Sequence, residues 1–393
     1  MDSPRVGLVT VDSDGSWMGG RYYLHHLVRA VASLTPQPIE LYDVYWEAPP
    51  ETDPFAEVRS LMQGKRVLAM PRTPTERLRR KARRLVTGNR SASDLFRAAG
   101  IDVVYPIPLI ENQGTPLVYW LSDLQFRHMP ELYPPELLEK MHAETTSRCE
   151  SASRIVVSSG CAKGDVARFL PQFAGKVDVV RFCSVPDDQW SELDPPSFCA
   201  RRGLPERFFA LSNQFTTHKN QLLVVDALRL LRDRGVHVTV VSTGSLYDFR
   251  AEGRRPYYDT VMERVRELGL ESQFLPLGLI ARSEQIAILR RSVAMLQPSR
   301  FEGWSTIVED AKTLGKTILA SDIDVHREQL GPQHRFYGSV DAPEVWADLM
   351  MELDASLSAG PNLAEEAAGL QQLAVAKRAS GEAFVNAVRN GMK

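Results

Sequence analysis

The stretch PSRFEGWSTIVEDAKTLGKTILASD (residues 298–322) decides the fold of this chain. It follows the short apolar run VAMLQ (293–297) and closes on a second apolar run, KTILASD (316–322). The residues between them predict a polar, glycine-bearing turn at 301–305 and a helix from about Thr306. A strand ending at Gln297, a turn, a helix and a further strand form the repeating unit of a parallel α/β domain.

The same alternation runs through the chain on both sides of this stretch. Most of the predicted strands are unbroken apolar runs, which are typical of parallel strands covered on both faces. In the first half they are VGLVTV (6–11), DVVYPI (102–107), PLVYWLS (116–122), RIVVSS (154–159) and KVDVVRF (176–182). In the second half they are RFFALSN (207–213), VHVTVVSTG (236–244), FLPLG (274–278), VAMLQPS (293–299) and KTILASD (316–322).

A chain of 393 residues is too long for one ordinary core and suits two domains. Residues 186–206 are rich in proline and charge, so we place the boundary there. The prediction is an N-terminal Rossmann-like domain over 1–190 and a second over 197–375, with a helix at 376–393 that packs back on the first. Two such domains would face a central cleft, where ligands bind at the carboxyl ends of the strands.

Composition narrows the class of protein. The chain is 44% hydrophobic and 24% charged, with a formal net charge of −2, so there is no global attraction to nucleic acid. The four cysteines are widely spaced, which disfavours a zinc site. The N-terminus lacks the pattern of a signal peptide, and no stretch approaches the roughly 20 apolar residues of a membrane span. We therefore expect a cytoplasmic protein.

The turn and helix after Gln297 carry the strongest chemical signal. Backbone N–H groups of Gly303, Trp304 and Ser305 would lie at a helix N-terminus, which suits a sugar hydroxyl or a phosphate. Glu302 and Asp310 stand eight residues apart, so they can address two parts of an extended ligand. Surface acids flanking an ordinary turn would give the same pair.

The whole segment resembles the donor-binding signature of the family 4 retaining glycosyltransferases, which have the GT-B fold. The shared features are Phe-Glu-Gly-aromatic, two acids separated by seven residues, and a Gly-Lys before a strand. The resemblance implies that Glu302 lies by the transferred sugar, and that the amides of 303–305, with Thr306 beside them, hold its hydroxyls. The second acid of the family binds ribose. Here that position is Asp310, one methylene shorter than the usual glutamate, so either Asp310 or the adjacent Glu309 would contact the ribose.

A second signal lies in ALSNQFTTHKNQLLVVDAL (210–228). A lysine before a helix N-terminus can neutralise a pyrophosphate, and Asn220 is a plausible N-cap. The position of Lys219 resembles that of the phosphate-binding lysine of the family. The family often has an arginine six residues earlier, where this chain has Asn213. We expect Lys219 to carry the phosphate charge, with polar help from Asn213, Gln214 and His218.

A glycine pair, Gly19-Gly20, follows the first strand. Glycines allow close approach of backbone to a ligand, and in the family such a pair closes over the donor. A simple flexible turn would explain the pair as well. Two Asp-x-Asp sequences, at 12–14 and 322–324, look like metal ligands. We discount both, since transferases of this type neutralise the diphosphate with basic residues and helix dipoles.

The loop in VYWLSDLQFRHMPELYPPE (118–136) resembles the acceptor side of one branch of the family. Asp123 is our first candidate for the acceptor-side catalytic residue and His128 the second, while Gln125 and Arg127 would contact the acceptor. Many relatives carry a histidine at or beside position 122, where this chain has Ser122. A lone histidine in such a loop also serves as a structural hydrogen-bonder.

Residues 72–90 hold eight basic side chains against the single acid Glu76. The pattern indicates a basic amphipathic helix with a small apolar face. It suits peripheral contact with an anionic membrane or acceptor, or a solvated helix face.

Together these features predict a metal-independent hexosyltransferase that needs no cofactor and uses a UDP- or GDP-sugar. The acceptor would be a glycan, lipid-linked or small-molecule hydroxyl, in cell-surface polysaccharide, glycolipid or secondary-metabolite glycosylation. Alternatives are a nucleotide-sugar epimerase or a phosphorylase of the same architecture, and a degenerate nucleotide-sugar-binding scaffold. A dinucleotide-dependent dehydrogenase is disfavoured because neither domain opens with GxGxxG.

Overall fold

The computed structural model describes residues 3–9, 18–46, 53–68, 93–106, 114–248 and 255–393. The chain divides into two compact units. The first unit comprises Met1–Leu124, Glu139–Cys183 and Val375–Lys393, and the second comprises Gln125–Leu138 and Ser184–Ala374.

The strands of the described residues all pair in parallel. In chain order they are β1 (Arg5–Val9), β2 (Glu40–Trp46), β3 (Gly64–Leu68), β4 (Val103–Tyr105), β5 (Val118–Trp120), β6 (Arg154–Val157), β7 (Val177–Val179), β8 (Phe209–Ser212), β9 (Val240–Thr243), β10 (Phe274–Pro276), β11 (Met295–Gln297), β12 (Ile318–Ser321) and β13 (Tyr337–Gly338). This mixed α/β architecture with parallel sheets confirms the predicted fold class.

The helices alternate with these strands. In chain order they are α1 (Met18–Ala32), α2 (Ser93–Ala98), α3 (Gln125–His128), α4 (Pro135–Ser151), α5 (Gly160–Phe169), α6 (Pro195–Arg201), α7 (Gln221–Asp233), α8 (Tyr257–Glu267), α9 (Arg282–Arg291), α10 (Thr306–Thr313), α11 (Asp324–Leu330), α12 (Pro343–Ser356) and α13 (Leu363–Gly391). Short 3-10 turns lie at Ala56–Leu61, Pro130–Leu132, Pro171–Lys176, Asp188–Trp190 and Thr217–Lys219.

The first unit holds two sheets. Their strand orders are β3-β2-β1-β4 and β5-β6-β7, and a single parallel bridge between Val104 and Leu117 connects them. Apolar side chains of β2 and β4 pack with Phe96 of α2 and Ile101 in one buried cluster. Parallel order of this kind places all the strand carboxyl ends at one edge of the sheet.

The second unit holds one six-stranded sheet of order β10-β9-β8-β11-β12-β13. Side chains alternate along β8: Phe209 and Leu211 face a cluster that includes α7, α8 and α12, whereas Ala210 faces a cluster that includes α6, α9 and α10. Because successive strand residues point to opposite faces, the apolar run is covered on both sides. β8, β11 and β12 are neighbours, so the loops after them begin side by side.

Residues 186–206, where we placed the domain boundary, are more ordered than their composition suggests. They contain the turn Asp188–Trp190 and α6, and both Asp187 and Asp194 accept hydrogen bonds from backbone N–H groups as helix caps. Trp190 and Phe198 are buried in the core of the second unit. Proline at a helix start and acids at caps made a capped helix look like a linker.

Candidate functional site

Lys219 and Glu302 meet beyond the carboxyl ends of two adjacent strands. Lys219 ends the 3-10 turn that follows β8, and Glu302 lies in the turn between β11 and α10. The Lys219 Nζ lies 2.6 Å from the Glu302 Oε1, and the two side chains are only 16% and 8% exposed. Two residues 83 positions apart therefore form a largely buried ion pair.

A buried amide connects this pair to the sheet. Gln297, the last residue of β11, donates from Nε2 to the Glu302 Oε1 at 2.7 Å. The same Nε2 lies 3.2 Å from the hydroxyl oxygens of both Ser299 and Ser305, and the Gln297 Oε1 accepts from the Asn213 Nδ2 at 2.9 Å. These contacts fix the orientation of the Glu302 carboxylate before any ligand arrives.

Asn220 occupies the N-cap position of α7, as predicted, but its side chain does not cap the helix. It has a left-handed backbone with φ of 60°, and its side chain makes no cap hydrogen bond to α7. Instead its Nδ2 donates to the carbonyl oxygens of Pro298 at 3.2 Å and Val340 at 2.9 Å. Asn220 thereby joins the loop after β8 to the loop after β11.

The start of α10 agrees with the predicted helix start at Thr306. Gly303 is buried and Trp304 and Thr306 are half-buried. The Ser305 N–H, predicted as a ligand donor, instead donates to the Gln329 Oε1 at 3.2 Å, and the Gln329 Nε2 donates back to the Ser305 carbonyl. A ligand could use this amide only by displacing Gln329.

Asp310 forms a bidentate ion pair with Arg282. The Arg282 guanidinium donates to the two carboxylate oxygens of Asp310 at 2.6 and 2.7 Å, and the side chains are 5% and 0% exposed. The Arg282 guanidinium also lies 5.6 Å from the centroid of the Trp190 ring. The sequence carried no signal that singled out Arg282, and only the packing of α9 against α10 makes it the partner of Asp310.

Glu309, the other predicted ribose acid, is also occupied. Its Oε1 accepts from the Lys312 Nζ and from the Gln329 Nε2, both at 2.9 Å. Burial raises the pKa of Glu309, and the ammonium of Lys312 opposes that rise. The ribose role of either acid stays a prediction, and each would have to exchange a protein partner for the ligand.

The remaining second-unit residues predicted around Lys219 lie in the same loop. His218 is buried, with its Nδ1 3.1 Å from the Thr216 hydroxyl, and Gln214 is exposed. A side chain at Gly244, after β9, would place its Cβ 2.2 Å from the carbonyl oxygen of Asn213. Glycine is required there because the two loops approach so closely.

Gly19 and Gly20 lie within the first turn of α1, not in a loop before it. Gly19 is exposed and Gly20 is buried. The helix begins at Met18, so Gly19 and Gly20 belong to its first turn and do not form the flexible turn that was one reading of the sequence.

The predicted acceptor-side residues differ in their surroundings. Asp123 follows β5 in the first unit and is half-buried. In the second unit, the Gln125 Oε1 accepts from the Tyr133 hydroxyl at 2.7 Å, and Arg127 lies over the ring of Phe126. His128 is exposed, and its ring centroid is 5.2 Å from that of Phe301, the residue before Glu302.

His326 is a residue that the sequence analysis did not single out. It lies on α11, just after β12, and is fully buried. Burial lowers the pKa of its ring, the carboxylate of Glu302 raises that pKa, and the ammonium of Lys219 lowers it. Its signal in the sequence was only its place after a strand end on the same sheet edge as Gln297.

Other predicted features can be placed only in part. Of the two Asp-x-Asp sequences, residues 12–14 lie outside the described residues, and Asp322 pairs with Arg327 at the start of α11. Among the described residues, no group of three or more His, Cys, Asp or Glu side chains is placed to hold a metal ion. The basic stretch 72–90 also lies outside the described ranges. No helix within those ranges is long and apolar enough to cross a bilayer.

Solved structures share this architecture over nearly the whole chain. A sucrose-phosphate synthase from Thermosynechococcus elongatus superposes with a TM-score of 0.63 at 14% identity, covering 98% of this chain and 94% of that one. A glycosyltransferase from Rickettsia africae gives 0.59 at 12% identity, over 99% and 96%. HepE from Anabaena, in complex with UDP and glucose, gives 0.58 at 15%, over 95% and 98%.

The fold is GT-B. Residues 201–365 also match the family described as Glycosyl transferases group 1, and this range contains Lys219, Glu302 and Asp310. No curated protein shows significant similarity to the sequence. The family match and the GT-B fold together support glycosyl transfer as the general activity.

Proposed function

We propose that this GT-B chain is a retaining transferase that moves a hexose-type sugar from a UDP- or GDP-sugar to a hydroxyl acceptor. One observation carries the proposal: the ion pair between Lys219 and Glu302 beyond the ends of β8 and β11. It provides a cation for a diphosphate and an acceptor for sugar hydroxyls within one small site. The HepE structure, which holds UDP and glucose, supports this class of donor.

The proposed roles follow the chemistry of each group. Lys219 would pair with the leaving diphosphate, with Asn213, Gln214 and His218 close by in the same loop. Glu302 would accept hydrogen bonds from the transferred sugar, and the N-terminus of α10 at 303–306 would supply N–H donors. Glu309 or Asp310 would contact the ribose, and we propose Gly19 and Gly20 as further donor-binding residues.

The acceptor would be a glycan, lipid-linked or small-molecule hydroxyl. We propose Asp123 as the acceptor-side catalytic residue, with His128 as the second candidate and Gln125 and Arg127 as acceptor contacts. The basic residues 72–90 would suit an anionic acceptor or an anionic membrane surface.

In the proposed reaction, the anomeric configuration is retained without an enzymic nucleophile. The acceptor oxygen would bond to the anomeric carbon on the face from which the diphosphate leaves, and a diphosphate oxygen would take the hydroxyl proton. The bond between the anomeric carbon and that leaving group breaks in the same process. Lys219 and the helix amides would then act by stabilising the charge that develops on the diphosphate.

A thermal-shift panel of UDP-, GDP-, TDP- and ADP-sugars tests the donor class. A nucleotide sugar that binds only the folded protein raises the unfolding midpoint, and selective stabilisation identifies the base and sugar. The proposal fails if none of these donors changes the midpoint of the wild-type protein.

The product then distinguishes the remaining alternatives. An epimerase would convert the donor without any acceptor, whereas a transferase requires one and a degenerate scaffold forms no product at all. NMR of the new glycosidic linkage reads the anomeric configuration, and inversion would contradict the retaining assignment.

A further inference from the structure

The His326 ring is hydrogen-bonded through its Nδ1 atom. Its Nδ1 lies 2.9 Å from the carbonyl oxygen of Ser321 and 3.0 Å from the hydroxyl oxygen of the same residue. A carbonyl oxygen can only accept a hydrogen bond, so Nδ1 carries the proton and donates. The Ser321 hydroxyl in turn donates to the carbonyl of Ser299.

The tautomer fixes the state of the other ring nitrogen. With the proton on Nδ1, the neutral ring presents an unprotonated Nε2, which is an acceptor. Within the part of the chain that the structure describes, this buried Nε2 has no hydrogen-bond partner. An unpaired buried acceptor is unfavourable and marks a place where a proton or another donor would be stabilising.

Hydrogen bonds connect the neighbourhood of His326 to the ion pair. Ser299, which accepts from Ser321 through its carbonyl, also has its hydroxyl 3.2 Å from the Gln297 Nε2, and that Nε2 donates to Glu302. Among the described residues, the charged and titratable groups that act on the pKa of the ring include Glu302, Lys219 and His334.

In the ligand-free protein, burial has the largest effect on the pKa of His326. It lowers the pKa of His326, so the ring is neutral at neutral pH. The carboxylate of Glu302 favours a charge on the ring, while the Lys219 ammonium and His334 oppose it. The protonation of His326 therefore depends on the position of the Lys219 ammonium.

We propose that His326 is a positioning residue for Glu302: when a diphosphate draws Lys219 away, His326 takes up a proton at Nε2 and becomes a cation that offsets the charge of Glu302. The inference rests on the proposed function, because it needs a nucleoside diphosphate as the ligand of Lys219. The proton comes from solvent, so one nucleotide and one proton bind together.

The physical reason is the burial of Glu302. Its side chain is only 8% exposed, and a buried carboxylate that loses its cation is strongly disfavoured. One ammonium cannot neutralise both this carboxylate and a diphosphate. The incoming phosphate charges add to that of Glu302 and favour a positive ring at His326.

The direction of the pH dependence follows from this uptake. Ligand binding raises the pKa of His326 from its lowered value, so nucleotide binding tightens as the pH falls through the window between the bound and free pKa values. Within that window the Kd rises by up to about tenfold per pH unit. Outside it the Kd is independent of this group.

Calorimetric titration of the full chain with UDP, and with GDP in parallel, measures the uptake directly. The titrations are run in PIPES and in Tris at the same pH, between about pH 5 and 8, because the two buffers differ in ionisation enthalpy. We expect uptake of about one proton per nucleotide within the window. Histidine-selective NMR on the wild type should show the His326 ring become doubly protonated on binding.

Two variants separate this role from a structural one. His326→Asn keeps an N–H donor for the Ser321 carbonyl but removes the titrating nitrogen, so the proton uptake and the pH dependence of kcat/KM for the donor should be lost. His237→Asn, the same change at an exposed histidine before β9, should retain both.

The outcomes are distinct. Nucleotide binding by the wild type without proton uptake, or with a His326 ring that stays neutral, overturns the inference and leaves the proposed function standing. No binding of either nucleotide overturns both.

Discussion

The proposed diphosphate would have to open the ion pair of Lys219 and Glu302 in order to bind Lys219. Replacing Lys219 with Ala removes the cation that would stabilise the leaving group. Loss of one such charge-stabilising group lowers kcat by about two to three orders of magnitude. We expect this loss with little change in the unfolding midpoint, measured by steady-state kinetics on the donor identified in the panel.

Matched variants show whether the charge or the shape matters. Lys219→Arg keeps the cation and should retain more activity than Lys219→Ala, while Glu302→Ala should lower turnover by a similar factor. Normal turnover with unchanged donor affinity in either alanine variant would contradict the assigned site.

The pair of Arg282 and Asp310 is instead predicted to act on stability. Removing one partner of a buried, bidentate pair leaves an uncompensated charge and costs about 3 to 5 kcal/mol. Arg282→Met should therefore lower the free energy of unfolding in urea by that amount. The double variant Arg282→Met with Asp310→Leu should recover most of it, since both charges are gone.

Donor binding serves as the control for this pair. If Asp310 holds the ribose, Asp310→Asn should weaken UDP binding, and an unchanged UDP affinity would leave only Glu309 among the predicted ribose acids.

The residues of the candidate site were predictable where a sequence motif lies at the end of a strand. Lys219, Asn213 and Glu302 follow strands that the apolar pattern had located, and the structure shows that these strands are neighbours and joins the three residues through hydrogen bonds. The partners of Asp310 and Ser305 were not predictable. Arg282 and Gln329 come from helices whose facing residues depend on side-chain packing, which no short-range pattern encodes.

At the scale of elements, the apolar runs predicted ten of the thirteen strands of the described residues, and β2, β3 and β13 were not predicted. β11 ends at Gln297 and α10 begins at Thr306, as predicted. The first turn of α1 and the helix α6 were missed. In both cases glycine, proline and acids stood where helix starts use them, and the same residues also favour loops.

Lys316, which lies just before β12, connects that strand to the end of α9 and to the segment before α13. Its Nζ donates to the carbonyl oxygens of Arg290 and Ser292 at the end of α9 and of Gly360 before α13, at 2.8 to 3.1 Å. Burial lowers its pKa from 10.5 to about 8. Between these values the unfolded chain binds more protons than the folded one, so this group makes the free energy of unfolding rise with pH.

The prediction is a difference between variants. Lys316→Arg stays charged through the window, so the wild type should gain about 1 to 3 kcal/mol relative to it as the pH rises from about 8 to 10. Urea unfolding of both proteins at several pH values measures this gain. Titrating groups that the two proteins have in common cancel in the difference between their free energies of unfolding. A stability difference that stays constant over the window would argue against a lowered pKa.

At the scale of the whole molecule, α13 belongs to both units. Its residues Leu363–Ala374 group with the second unit and Val375–Gly391 with the first. We predicted a C-terminal helix at 376–393 from its alanine-rich, helical pattern. The same alanine-rich, helical pattern extends back to residue 360, which agrees with the observed start of the helix at Leu363.

The first unit should depend on the end of this helix for its stability. Phe384 is fully buried and meets Tyr105 of β4 edge to face, with ring centroids 4.8 Å apart. Truncating a buried aromatic side chain costs about 3 to 5 kcal/mol through lost burial and a residual cavity. We therefore expect Phe384→Ala to lower the urea midpoint and to speed amide hydrogen exchange in β1 and β4.

Val375→Ala, at a position on α13 that is 73% exposed, should change stability by no more than about 0.5 kcal/mol. Equal effects of the two substitutions would mean that the C-terminal half of α13 is not part of the first unit's core.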